Sequence, residues 1–430
     1  MPLQKYIGIV RYPNFLKLWG AQACTKLAEN MLNFSLVILV FQISQSSFLV
    51  SLLVVLISIP PILLSAAAGV VADIRNRKTI LVMSNLLRFL LVIAAIAFSH
   101  QAYILIGVAF LLSVIAQFFS PAEVSSIPTL VSKDHLFTAN SFYQFTSYAM
   151  FLAGYTIAGP ALTHLGAIKV FMIVMGLYAI STVLTSLLPP LVDHLKDLAA
   201  TGLPKIFDYR AFWQRMVDGI RYIWTNRIIR FVIFQAAVVF SIERAFISLA
   251  PSFSQNFLRL NVEGLSLYVI LPTGIGTLCG VLIANRFKHT ANKSRLITIG
   301  MFIDGCALVA LAIWPGILGF VRGLGITVST ETFIPIIVVI LAWFSGFADP
   351  FILVPVQTTI HERTPAEDRG RVFGGLYTFS NVMGLLPVLV IGALSDFVKI
   401  NYIVIILGAI ILAVTIQGIF FFRRYSLGTE

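Results

Sequence analysis

This chain is short of charge. Asp, Glu, Lys and Arg make up 11% of its 430 residues, where a soluble domain carries about 25%. Hydrophobic residues make up 58%, and mean hydropathy is +0.94. A soluble fold cannot hide that much apolar surface, whereas a bilayer can. This excludes an ordinary globular enzyme and predicts an all-α polytopic membrane protein. Cysteine is sparser still: Cys24, Cys279 and Cys306 stand singly in apolar segments, which supports neither a disulfide framework nor a metal site. His135, His164 and His361 fall near loops or helix ends, without a partner at metal-ligand spacing. There is no glycine-rich phosphate loop and no nucleophile–base constellation, so neither direct ATP coupling, catalysis nor a cofactor is expected. Met1 to Asn14 is polar and runs into a long helix without a small-residue cleavage site, which predicts no removable signal peptide.

What is present is a series of apolar segments of membrane-spanning length. They fall near 15–41, 48–72, 79–99, 102–130, 136–163 and 168–188, then 229–256, 264–287, 294–314, 333–360, 371–396 and 401–422. The predicted organisation is an N-terminal six-helix bundle over 1–188, a cytoplasmic linker over 189–228 and a C-terminal six-helix bundle over 229–430. Within the linker, Trp213, Val217, Ile220 and Trp224 recur at helical spacing, with Arg210, Arg215, Asp218 and Arg221 largely off that stripe. That pattern predicts an amphipathic helix on the membrane surface.

The net charge of +12 is explained by position. With the N-terminus inside, the alternate loops that face the cytoplasm hold most cations, among them Arg75, Arg77, Lys78, Arg286, Lys288, Lys293, Arg295 and Arg369. The outer side keeps Lys169, Arg259, Arg322 and Lys399. The positive-inside rule then sets both termini in the cytoplasm, and nucleic acid is not an expected partner.

The two halves resemble each other at a shift of roughly 210–230 residues, as parallel transporter repeats do. Gly69, Arg75 and Thr79 align with Gly280, Arg286 and Thr290. Intramembrane charges recur in the same order: Glu29 with Glu243, Arg88 with Asp304, and Glu123 with Asp349. Twelve transmembrane helices in two bundles related by pseudo-two-fold symmetry are therefore expected.

The charged knot Gly69-Val-Val-Ala-Asp73-Ile-Arg75-Asn-Arg77-Lys78 carries the strongest motif. It resembles the loop between helices 2 and 3 of the major facilitator superfamily, G-x-x-x-D-R-x-G-R-K. Ile74 stands for the Arg of that pattern and Asn76 for its Gly. Pro121-Ala-Glu123, Leu136-Phe-Thr-Ala-Asn140, Asp218 to Trp224 and Thr364 to Gly374 are similar to its bacterial exporter branch, which contains macrolide-efflux and enterobactin-exporter-like proteins. Ser120-Pro-Ala and Thr138-Ala-Asn are also similar to bacterial lysophospholipid transporters. Gly154 and Gly159-Pro160 resemble the antiporter motif of drug exporters, although Leu162-Thr163 replaces its final glycines. A kinked helix with a close-packing small face explains those glycines equally well.

The resemblance implies that Gly69, Asp73, Arg75, Arg77 and Lys78 form a conformational latch, with Asp73 set against the start of helix 11 near Gly370. An ordinary basic turn is the competing reading. Each charge inside the bilayer costs roughly 2.5–3.5 kcal/mol on insertion scales and so needs a reason. Lys26 and Glu29 share a helix face, Glu243 and Arg244 are adjacent, and Arg88, Glu123, Asp304 and Asp349 need partners on other helices. The acids Glu29, Glu243, Glu123, Asp304 and Asp349 are proton-coupling candidates, with Glu29 leading because the resembling exporters place it on a cavity-lining helix. Lys26, Arg88 and Arg244 are their charge partners. Phe34, Tyr143, Gln144, Tyr148, Gln235 and Gln357 are candidate cavity residues by helix and depth.

The resulting expectation is a monomeric secondary transporter in the bacterial cytoplasmic (inner) membrane, exporting an amphipathic drug, macrolide or siderophore against protons by alternating access. A lysophospholipid transporter and a non-transporting membrane sensor or scaffold are the alternatives.

Overall fold

The computed structural model describes residues 11–191, 221, 224–258, 261–286, 293–323, 330–364 and 369–424. It holds twelve long helices among these residues. In the first half they are α1 (Pro13–Ser44), α2 (Ser47–Ile74), α3 (Arg77–Ala97), α4 (Ala102–Leu130), α5 (Leu136–Leu165) and α6 (Ala167–Ser186). In the second they are α7 (Arg227–Ser252), α8 (Leu271–Arg286), α9 (Lys293–Gly323), α10 (Thr330–Arg363), α11 (Arg369–Ser395) and α12 (Ile400–Arg424). Among the described residues ten helices are long and apolar enough to cross a bilayer. Most of the predicted amphipathic linker helix lies outside the described residues. At its end the Arg230 guanidinium sits over the exposed Trp224 ring at 5.5 Å and donates to the Trp224 carbonyl at 3.2 Å.

Proline interrupts many of these helices: Pro60 and Pro61 in α2, Pro121 and Pro128 in α4, Pro160 in α5, and Pro335, Pro350 and Pro355 in α10. In water that density would break them, but a membrane leaves helix as the way to satisfy the backbone, and neighbouring groups take up the freed carbonyls. Large apolar side chains cover the outside, Leu282 being 71% exposed and Leu386 70%. Such faces suit lipid.

The chain divides into two compact units, Met1–Ser44 with Leu56–Tyr209, and Gln45–Val55 with Arg210–Glu430. In the first unit α1 packs on α5 and α6, and α3 on α4 and α6. Phe15, Leu18, Leu81, Phe119 and Ile127 form a core there together with Leu188 and Leu191 from the chain beyond α6. In the second, α10 packs on α8 and α9, α9 on α12, and α7 on α11. Its core gathers Ile229, Val232, Ile233, Met301, Ile352 and Val404.

A buried polar network ties the first unit together. Thr25 donates to Asn85 at 3.2 Å, Asn85 to Ser181 at 2.8 Å, and Ser181 to the Ala21 carbonyl at 3.0 Å, linking α1, α3 and α6. Gly154 of α5 meets α1 closely: a Cβ there would lie 2.7 Å from the Asn30 Cβ and 3.1 Å from the Leu27 carbonyl oxygen. The motif glycine thus has a packing role in this structure.

Candidate functional site

Gln22, Lys26 and Glu29 recur at intervals of four and three, which places them along one face of α1. The Lys26 ammonium and Glu29 carboxylate pair at 3.0 Å, each side chain about a quarter exposed. Arg88 and Glu123 act on this pair electrostatically. Arg88, brought by α3, is almost fully buried. Its guanidinium lies 4.6 Å from the Phe119 ring centre on α4 and 5.9 Å from that of Tyr178 on α6, where the ring faces attract the cation. Glu123, from α4, accepts a short hydrogen bond from the Tyr143 hydroxyl of α5. Two cations and two acids share this region, so its formal charge cancels.

Not every polar atom there is satisfied. Gln22 donates to the Tyr143 carbonyl at 2.9 Å and to Ser147 at 2.8 Å, which leaves its Oε1 without a partner. One guanidinium nitrogen of Arg88 and Oε1 of Glu123 are also buried and unpartnered. Each such atom carries a desolvation cost of about 1–3 kcal/mol.

The second half builds a different cluster from equivalent helices. Glu243 of α7, Asp349 of α10 and Asp304 of α9 lie within electrostatic reach of one another. Asp304 is buried and accepts from Ser345 at 2.5 Å, with its other oxygen unpartnered. Arg244, next to Glu243, supplies a cation. Three acids face one cation here. Acids this close repel one another when all are charged, and uptake of a proton relieves that repulsion. The charge pairs matched along the sequence fall on matching helices: α1 with α7 for Glu29 and Glu243, α3 with α9 for Arg88 and Asp304, and α4 with α10 for Glu123 and Asp349.

The basic knot closes on backbone. Asn76 caps α3, its side-chain oxygen accepting from the Lys78 amide at 3.0 Å and from the Leu191 amide at 3.2 Å. The Arg77 amide donates to the Leu191 carbonyl at 3.2 Å, and its guanidinium donates to the carbonyls of Ser125 at 2.9 Å and Ala72 at 3.4 Å. Arg75 is exposed. The Asp73 side chain, the side chains around Gly370 and most of the Thr364–Gly374 motif lie outside the described residues. Asn76, met in the sequence as a substitute for glycine, is thus a capping residue that also ties down the chain leaving α6. An Asn before a helix was the signal available for it. Asn76→Ala is expected to cost about 1 kcal/mol, seen as a lower midpoint of thermal unfolding in detergent, and an unchanged midpoint would show the cap to be idle.

The candidate cavity residues scatter. Phe34 is buried edge-on to Tyr155, their ring centres 6.0 Å apart, and Tyr143 is held by Glu123. Gln144 is exposed and Tyr148 is 72% exposed, on a different face of α5 from Tyr143. Gln235 is fully buried with neither amide atom partnered, and Gln357 is half-buried.

Twelve long helices, apolar outer faces and buried ionisable clusters define a multi-pass α-helical membrane transporter. The model of the Major Facilitator Superfamily matches residues 18–332, and the chain belongs to that superfamily. It is 25% identical to YfiS, an uncharacterised MFS-type transporter of Bacillus subtilis, over 377 residues that cover 87% of this chain and 84% of that protein. It is 22% identical to the multidrug efflux pump Tap of Mycolicibacterium fortuitum over 405 residues, 90% of this chain and 91% of Tap. Macrolide efflux protein A of Streptococcus pyogenes is 22% identical over 413 residues, 94% of each chain. The crystal structure of the nucleoside transporter NupG superposes with a TM-score of 0.69 at 14% identity, covering 95% of this chain and 99% of that one, which speaks for the fold alone.

Proposed function

We propose that this protein exports amphipathic small molecules of the drug or macrolide type across the bacterial cytoplasmic membrane in exchange for protons. It works as a monomer by alternating access, with both termini cytoplasmic. The observation that carries the proton coupling is the Glu243–Asp349 carboxyl pair with Asp304 beside it. Acids held close together favour uptake of a proton that they can release when the surroundings change, and a neutral ion pair has no proton to give. Export is supported by efflux relatives of near-full length. The test is a proteoliposome assay in which a pH gradient drives movement of a macrolide or a fluorescent dye. Lysophospholipid movement without gradient dependence would sink the reading in favour of a lipid transporter.

The lead among the acids passes from Glu29 to the Glu243–Asp349 pair, because Glu29 is already neutralised by Lys26. Glu29→Gln leaves an unbalanced, partly exposed cation and is expected to slow gradient-driven transport by about tenfold, less than the loss of one partner of a fully buried pair. Adding Lys26→Gln to it restores the charge balance and most of the rate. A double variant as inactive as the single one would return the proton-carrying role to Glu29.

A further inference from the structure

The chain turns where the linker meets α7. Asn226 interrupts the helical run with extended backbone, φ −97° and ψ 107°, and its side-chain oxygen accepts from the Ile228 and Ile229 amides, both at 3.1 Å. The start of α7 is thereby capped by the protein itself. Around that corner the charge is of one sign: between Asp218 and Glu243 the chain carries Arg221, Arg227 and Arg230 and no acid. Arg221 and Arg227 are exposed, and so is Trp224, at 57%. Cations at the start of a helix stand against its dipole, so nothing within α7 favours them there.

Arg230 shows what this corner suits. Its guanidinium lies over the Trp224 ring at 5.5 Å and gives one N–H to the Trp224 carbonyl at 3.2 Å, so the side chain reaches back from the first turn of α7 to an interfacial tryptophan. Among the described residues its other four N–H groups meet no acceptor. Lys17, at the start of α1, is the contrast: its ammonium is taken up by the Asn14 side chain at 3.1 Å and the Leu187 carbonyl at 3.3 Å. The protein satisfies Lys17, whereas it orients Arg230 and leaves it donors to spend. A planar guanidinium held on a ring, with exposed arginines three residues to either side of that ring, matches a phosphate group. The charge pattern sets the corner at the cytoplasmic surface, where tryptophan rings lie at headgroup level and anionic lipids concentrate. With Arg210 and Arg215 of the linker, five arginines lead into α7, the density at which basic segments beside a membrane helix select anionic lipid.

We propose that Arg221, Trp224, Arg227 and Arg230 form a headgroup site for an anionic phospholipid, with Arg230 on the phosphate and Trp224 beside it. The inference goes beyond the export reading and takes from it only that this end of α7 faces the cytoplasm.

The experiment uses the full chain in symmetric vesicles of phosphatidylcholine with a small fraction of phosphatidylglycerol. Bromine near the headgroup end of the acyl chains of one lipid or the other quenches adjacent tryptophan, and the emission missing from Trp224→Phe is that of Trp224. Brominated phosphatidylglycerol is expected to quench it about fivefold more strongly than brominated phosphatidylcholine at the same fraction, the enrichment that one basic residue gives at an anionic surface. Equal quenching by the two lipids in the unaltered chain overturns the site, and that outcome depends on the folding of no charge variant. Arg221→Gln with Arg230→Gln is expected to bring the ratio near one. Arg295→Gln with Arg423→Gln removes two exposed cations from the same side and is expected to leave it unchanged. If both double variants lower the ratio alike, the basic surface as a whole attracts the lipid and the site falls. Millimolar inorganic phosphate is expected to leave the ratio as it is, and its loss would make free phosphate the occupant and overturn the lipid. Both leaflets carry the lipid, so a reversed topology, or a chain that moves no dye, undoes the export reading without changing this ratio.

Discussion

Asp349→Asn is expected to abolish gradient-driven transport, by about 100-fold or more, the range for removing a positioned proton-transfer group, while leaving substrate binding largely in place. The reasoning starts from the carboxyl pair. Asp349 lies within electrostatic reach of Glu243 on a neighbouring helix and shares the field of Asp304. With Asn at 349 the repulsion that favours a bound proton is lost, together with the carboxyl that would carry it. Glu243→Gln is expected to behave alike, and the double variant no worse than either, because the two residues act as one unit. Counterflow, in which labelled substrate exchanges for unlabelled with no gradient, should persist in all of them. The measurement is therefore a pair of assays on the same proteoliposomes, pH-driven transport against counterflow. Equal loss of both would mean that Asp349 holds the fold or the substrate; full retention of the driven rate would remove the pair from the coupling mechanism.

Much of this architecture is legible in the sequence, because twelve apolar segments with cations on alternate sides leave little freedom in a bilayer. The charge repeat was legible too: residues matched by order alone lie on equivalent helices. The ion pair of Lys26 with Glu29 follows from a three-residue helical spacing. What the linear pattern conceals is which distant charges meet. Nothing in the order of residues sets Glu243 against Asp349 and Glu29 against a cation, although the first and third are repeat mates. That difference decides which half crowds its acids together. Helix depth without helix face is similarly blind: Tyr143 and Gln144 are neighbours in the chain, yet they point about 100° apart, one buried and one exposed. The Thr25–Asn85–Ser181 network joins three helices through ordinary small polar residues, and it has no signature along the chain.

Gly346→Ala is expected to be the most damaging single methyl in the described chain. A Cβ at Gly346 would sit 2.0 Å from the Thr273 carbonyl oxygen and 2.6 Å from its carbonyl carbon. From the other side, Cβ atoms at Gly276 and Gly280 would lie 2.1 Å from the Trp343 oxygen and 2.4 Å from the Phe347 oxygen. Helices α8 and α10 thus touch backbone to backbone along two turns, a small-residue seam of the kind that drives helix association in lipid. Backbone cannot swing aside as a side chain does, so overpacking here should reach or exceed the upper end of its usual cost, about 3 kcal/mol. The site shares the damage. Ser345, which donates to Asp304, precedes Gly346, and Asp349 follows one turn later. Forcing α10 off α8 therefore moves both acids of the second cluster that depend on α10. Gly346→Ala should lower the yield of monodisperse protein in detergent severely and abolish transport in what remains. Gly107→Ala and Gly176→Ala, where a Cβ meets nothing within 4 Å, should leave yield and transport unchanged. If Gly346→Ala matches those controls, the close seam of α8 and α10 does not exist in the membrane, and the placement of Asp349 against Glu243 loses its scaffold with it.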